Sequence, residues 1–235
     1  MARLRRRLAL ALALVAAGAP AAWAEEACRL PATIPPAQAD VVDWRNDDRT
    51  PDGFVLALSW SPAYCAVTGG AEDPIQCADN RFQWVVHGLW PQTAGATSVE
   101  QHPRHCAEAP PLPAATIRRY LCLIPSVELI QHEWAAHGTC AFATADAYLA
   151  QTAALWDALA RPDLAALAAA GNATAGDVRD AWVAANPALP RAAVGLSVRG
   201  GLLREVRLCY DTAYAFAPCA WPGAPDAQRI AIVAP

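Results

Sequence analysis

Five histidines occur in 235 residues, and three of them fall in two short segments dense in chemically able side chains. One reads Val85-Val86-His87-Gly88-Leu89-Trp90-Pro91-Gln92, the other Gln131-His132-Glu133-Trp134-Ala135-Ala136-His137-Gly138-Thr139-Cys140. At about 100° per residue, His132, Glu133 and His137 fall at roughly 0°, 100° and 140° around a helix, so one side of it can present all three to a cleft. Glu133 and His137, four apart, stack directly. This is not the helix of a zinc protease, which needs two histidines four apart with glutamate after the first, because here they are five apart. Imidazole, with an ordinary pKa of about 6.5, can act as base or acid near neutrality. Two imidazoles suit a phosphodiester whose own 2′-hydroxyl is the nucleophile: one takes its proton while the other protonates the leaving 5′-oxygen. A third positive or hydrogen-bonding group must then offset the charge that grows on the non-bridging oxygens. Taken singly, each histidine fits a core or surface role equally, and that structural role is the expectation for His102 and His105.

Both segments resemble the active-site signatures of the ribonuclease T2 family, H-G-L-W-P and H-E-W-x-K-H-G, and they occur in that family's order. The resemblance extends to Leu58-Ser59-Trp60-Ser61-Pro62 with Cys65, and to Val206-Arg207-Leu208-Cys209-Tyr210-Asp211, so it spans roughly residues 54 to 220. It implies an endoribonuclease that cuts single-stranded RNA without metal or other cofactor, spares DNA, and leaves 2′,3′-cyclic and then 3′-phosphate ends. In that reading His87 is the general acid, His137 the general base, His132 a phosphate ligand, and Glu133 assists the pentacovalent phosphorus centre. Trp90 resembles a residue that stacks on a base, a contact worth about 1–3 kcal/mol. Read alone, Trp90 fits a packed core equally well. Gln92 stands where base-recognising acids occur and leaves base preference open. Ala136 departs from the family pattern, which has Lys there; the missing cation costs about 1–3 kcal/mol of transition-state stabilisation unless an arginine supplies it.

Arg3, Arg5, Arg6 and Arg7, an apolar run from Leu8 to Ala17, and Ala22-Trp23-Ala24 compose a secretory signal peptide over residues 1–24. The apolar run is well short of the roughly 20 residues a membrane-spanning helix needs. An exported chain, periplasmic or secreted, is therefore expected, monomeric and without membrane attachment once the leader is cut. The chain holds 18 basic and 22 acidic residues, and removing four leader arginines takes the balance from −4 to −8. That is not the charge of a general nucleic-acid binder, and an acidic working pH, by protonating carboxylates and histidines, would relieve the repulsion of RNA.

Eight cysteines in an exported chain imply four disulfides, for which spacing alone allows 105 connectivities. Cys65 with Cys77, and Cys209 with Cys219, flank short loops and suit local bridges. The family resemblance adds Cys106 with Cys140, and the two cysteines then left are Cys28 and Cys122.

The elements that must position these residues read as α+β. Residues 25–52, with Pro31, Pro35 and Pro36, are expected as an irregular arm. Phe54 to Trp60 reads as a buried strand ended by Ser61-Pro62, followed by a loop at Gly69-Gly70 and a second strand from Phe82 to His87. Helical patterns run from Pro113 to His137 with a break at Pro125-Ser126, then from Ala145 to Leu159 and Asp177 to Ala185. Short strands are expected at Leu202 to Tyr210, Ala215 to Cys219 and Arg229 to Val233. Strands, helices and strands in that order point to a single domain over residues 25–235, with a central, mainly antiparallel sheet flanked by helices and stapled by disulfides.

Overall fold

The computed structural model describes residues 28–68 and 73–235. The leader assigned to residues 1–24 and the Gly69-Gly70 loop lie outside the described residues. The architecture is α+β, as expected. Four strands, β1 (Gly53–Trp60), β2 (Trp84–Gln92), β3 (Val194–Arg199) and β4 (Leu202–Asp211), form one antiparallel sheet in the order β2-β1-β4-β3.

Alternation along β1 divides the molecule. Leu56, Leu58 and Trp60 point into the core, where they join Val86 and Leu89 of β2 and Val206 and Leu208 of β4. Ile117 of helix α3 (Ala114–Tyr120), Ile130 and Trp134 of α4 (Val127–Ala136), Leu149 of α5 (Ala145–Asp157) and Trp182 of α7 (Ala175–Ala185) complete that core. Val55 and Ala57 belong to the opposite face, which carries the cleft described below.

Caps explain where the helices begin. Ser126 accepts a bond from the Leu129 amide at the start of α4, and Thr144 does the same for α5 through Ala147. Thr174 and Asp177 form a reciprocal capping box, so α7 starts at Ala175, two residues before the expected Asp177. His137 is the C-cap of α4, one residue beyond the helix proper.

Several elements differ from the sequence expectation. β2 does not stop at His87 but runs on to Gln92. Gly88 and Pro91 look like breakers, yet β2 is an edge strand, where a proline costs no ladder bond. Ser61-Pro62 ends β1 as expected but opens helix α1 (Ser61–Thr68), because proline in a first turn has no amide bond to lose. The short helices α2 (Pro74–Cys77) and α6 (Ala165–Ala170) were not anticipated. Ala215–Cys219 and Arg229–Val233, expected as strands, make only isolated bridges, Tyr210 with Phe216, Leu202 with Ala231 and Thr174 with Arg229. On the side of β4 away from β1 the partner is instead β3, a six-residue strand too short to show an alternating pattern.

Residues 28–52 contain neither helix nor strand. They are tied down by a two-bond bridge between Asn46 and Arg104 and by the Cys28–Cys122 disulfide. Cys65–Cys77, Cys106–Cys140 and Cys209–Cys219 are also bridged, and no free cysteine remains among the described residues. Among them, no helix is long and apolar enough to cross a membrane.

Candidate active site

A cleft of about 630 Å³ opens on the Val55 face of the sheet. His87, Trp90 and Gln92 of β2, Arg207 of β4, and His132, Glu133 and His137 of the α4 segment all line it. The two sequence segments singled out above therefore meet in one place. How they meet begins with a break in register: Ala57 pairs with Gly88, but Leu58 pairs with Val86, so His87 is the extra residue of a β-bulge. Released from pairing, its side chain turns toward the cleft.

There His87 lies between two carboxylates. Its Nδ1 is 2.6 Å from Glu205 Oε1, and its Nε2 is 3.5 Å from Glu133 Oε1. Glu205 reaches it across β1, where the nearby residues of that face are the small Ser59, in register with Glu205, and Ala57. Two positions further along β4, on the same face, Arg207 donates to Glu205 through Nε and Nη2 and stacks over the Trp90 ring at 5.2 Å. Burial alone would pull the His87 imidazolium down, but the Glu205 bond and the charges of Glu133 and Glu205 outweigh it and hold its pKa above the ordinary range. Glu205 responds in the opposite sense: burial works to raise it, but His87 and Arg207 bring it down to about 2.

Glu133 is 1% exposed, and Trp90 Nε1 donates to its Oε2 at 2.9 Å. Burial raises its pKa, with His87, His132 and the Trp90 bond offsetting part of the cost. Gly88 makes this packing possible. A Cβ there would stand 1.8 Å from Glu133 Oε2 and 2.8 Å from Trp90 Nε1.

The other two histidines face a different charge. Arg104 Nη1 donates to His137 Nε2 at 3.1 Å, and Nη2 donates to His132 Nε2 at 3.2 Å. With Nε2 accepting, His132 carries its proton on Nδ1, which lies 3.0 Å from Asp40 Oδ1 of the arm. His137 Nδ1 is buried and has no hydrogen-bond partner among the described residues. Burial first, and then the charges of Arg104, His132 and His87, hold the His137 pKa well below the ordinary imidazole range. The Trp90 ring separates the two environments, 5.0 Å from His87 and 5.8 Å from His137 between centroids.

The same cluster has the residue types of a metal site. Ligand atoms of His132, Glu133 and His137 do lie within 4.8 Å of one another. Both imidazole Nε2 lone pairs, however, are already occupied by a fixed guanidinium, so an entering cation would have to displace one positive charge with another.

The sequence profile of the Ribonuclease T2 family matches residues 51–179, more than half of the chain. The chain belongs to that family. Curated relatives within reach of the T2 sequence include a probable ribonuclease of Haemophilus influenzae, 45% identical over 121 residues, which are 48% of this chain and 44% of that protein. A ribonuclease of Aeromonas hydrophila is 38% identical over 89 residues, 38% of this chain and 37% of that one. The match thus spans less than half the length of either relative. Among solved structures, an RNase-related protein from Calystegia sepium superposes with a TM-score of 0.58 at 18% identity, covering 79% of this chain and 98% of that one, which establishes the T2 fold.

Within this T2 chain the remaining expected residues take less central places. Gln92 lines the cleft but its amide bonds to the Trp90 and Pro91 carbonyls. His102 Nδ1 accepts from the Thr93 amide, and His105, 2% exposed, packs 3.2 Å from Asp43. Ala136, in the position of the family lysine, is wholly buried and its carbonyl accepts from the His105 amide. Sequence reading missed Arg104, Asp40, Asp43 and Glu205. Arg104 carried one signal, its place beside a histidine and Cys106; Glu205 carried only its two-residue spacing from Arg207 on a predicted strand.

Proposed function

We propose that this chain is an exported endoribonuclease that cleaves single-stranded RNA by attack of the 2′-hydroxyl, with His137 as general base and His87 as general acid. The observation that carries the reading is the opposed setting of two imidazoles in one cleft: two carboxylates favour a protonated His87, while burial and Arg104 favour a neutral His137. Titratable groups whose surroundings drive them apart in this way are suited to acid and base roles.

In the first step His137 takes the proton of the 2′-hydroxyl, the oxygen forms a bond to phosphorus, and the bond to the 5′-oxygen breaks as His87 delivers its proton there. A 2′,3′-cyclic phosphate and a free 5′-hydroxyl result. Hydrolysis to the 3′-phosphate reverses the roles, with His87 now neutral and drawing a proton from water. His132, held by Asp40 at Nδ1, binds the phosphate by donating from Nε2 once that nitrogen is also protonated, while Glu133 stabilises the charge that passes through His87. DNA lacks the attacking hydroxyl and is not a substrate. The leader over residues 1–24 and the four disulfides agree with action outside the cytoplasm as a monomeric mature domain beginning near residue 25.

Digestion of homopolymers and a dinucleotide series by the purified chain in EDTA, with the product ends analysed, tests this reading. Cyclic phosphates formed in EDTA are the expected result. Products with 5′-phosphates, or a requirement for a divalent ion, would replace it with a metal-dependent nuclease.

A further inference from the structure

The cleft holds a cation between its two arginine-facing histidines that no motif announces. We propose that Arg104 is a catalytic residue whose guanidinium binds a non-bridging oxygen of the scissile phosphodiester and offsets its growing charge. The inference rests on the ribonuclease reading and adds to it the group that neutralises the transition state.

Position and rigidity carry the argument. Arg104 Nε and Nη2 donate to the two oxygens of Asp43 at 2.9 and 2.8 Å, a two-point fork that fixes the guanidinium plane. The Trp44 ring lies 4.3 Å from its central carbon and covers one face. Its backbone is pinned on both sides: the two-bond bridge to Asn46 holds it from the arm, and the Cys106–Cys140 disulfide follows two residues later. His105 between them adopts a left-handed φ of 50°, held there by its amide bond to Ala136. A side chain that is merely a surface counterion is not fastened from three directions.

Its donors also point to the right place. Four of the five guanidinium N–H groups are accounted for by Asp43, His132 and His137; the fifth, on Nη1, has no partner among the described residues. The two that reach His132 and His137 cap the same lone pairs that would face a bound phosphate and its 2′-hydroxyl. An incoming anionic oxygen is a stronger acceptor than neutral imidazole, so these donors pass to the phosphate and uncover Nε2 of His137 as base. Arg207, the other guanidinium lining the cleft, has its Nε and Nη2 on Glu205 and its plane on Trp90, on the side of His87.

The test uses the purified full chain, with Arg104→Ala, Arg104→Lys and Arg207→Ala variants, on a dinucleoside phosphorothioate supplied as separate Rp and Sp isomers, in EDTA. Melting temperatures are recorded for each variant. Wild type is expected to cleave one isomer at least tenfold more slowly than the other. Arg104→Ala should lose about 10²–10³-fold in kcat on the normal diester and bring the isomer ratio close to one. Arg104→Lys, which retains the charge, should recover part of the rate. Arg104→Ala at the wild-type rate would overturn the proposal; so would loss of rate with an unchanged isomer ratio, or collapse of that ratio only in Arg207→Ala. Inorganic phosphate binding, followed by 31P NMR, judges Arg104 separately. Should the wild-type chain cut no RNA, the ribonuclease reading fails, and phosphate bound equally by wild type and Arg104→Ala then removes the Arg104 assignment as well.

Discussion

Glu205 Oε1 and His87 Nδ1 are 2.6 Å apart, although 118 residues separate them in the chain and a whole strand lies between theirs in the sheet. The pair orients the imidazole and favours its protonated form against the pull of burial. Replacing Glu205 by Gln removes one of the two charges that favour the imidazolium, so the His87 pKa falls. Since His87 must be protonated to act as acid, the alkaline limb of kcat/KM should move to lower pH while the acid limb stays in place. A pH profile of the variant checks this, and an unmoved alkaline limb would detach Glu205 from the chemistry.

Wild-type activity should follow a bell in pH whose two limbs have assigned owners. As pH falls through the lowered pKa of His137 the base becomes protonated and the acid limb appears; as pH rises through the raised pKa of His87 the acid is lost. Because the acid titrates above the base, the competent pair is also the dominant form between the limbs. His87→Ala and His137→Ala should each reduce kcat by about 10²–10⁴-fold, measured near the top of the bell.

Trp90 has two separable contributions. The sequence suggests base stacking, whereas its Nε1 bond to Glu133 makes it a support for the catalytic carboxylate. Trp90→Phe keeps a ring but withdraws a donor from a buried acid, a loss of about 1–3 kcal/mol. It should lower kcat with little change in KM. Trp90→Ala should raise KM as well, and melting temperatures of both variants separate these effects from loss of folding.

Gly88→Ala should inactivate the protein far more than it destabilises it. The added Cβ stands 1.8 Å from Glu133 Oε2, so the carboxylate must move. Overpacking of this kind costs about 1–3 kcal/mol in stability. A displaced Glu133 loses Trp90 and His87 together, and kinetics beside thermal unfolding would reveal the disproportion.

Removing the Cys106–Cys140 bridge by a double Ser variant opens a loop of 34 residues and should cost about 3–4 kcal/mol, or roughly 10 °C in melting temperature. The same bridge holds the Arg104 segment beside the end of α4. Activity measured well below the transition should therefore fall too. Full activity in a destabilised variant would show that the segment keeps its place without the bridge.

What could be read in the sequence was local. His132, Glu133 and His137 lie within one helical turn and its cap, and His87 and Trp90 within one strand, so type and spacing sufficed to single them out. Arg104, Asp40 and Asp43 enter the site from irregular chain, and Glu205 through strand order, neither of which leaves a periodic trace. The strand boundaries failed for a related reason. Pro91 would break a strand in a sheet interior, and the edge position of β2 lets the strand pass through it, while Gly88 sits beside the bulge. β3 has six residues and a glycine, too few for alternation to register, whereas the apolar runs near the C-terminus alternate without partners beyond single bridges.

The bulge at His87 has a second effect, on the behaviour of the sheet toward other chains. An edge strand offers unpaired amides and carbonyls on which a second molecule can assemble, the usual beginning of β-aggregation. Along β2 that template is interrupted throughout. The Val86 amide is already bonded to the Leu123 carbonyl, the bulge bends the chain at His87, and Pro91 has no amide to offer. An incoming strand would find no stretch long enough to pair, so the irregularity that aims a histidine into the cleft also keeps the molecule from adding copies of itself at that edge.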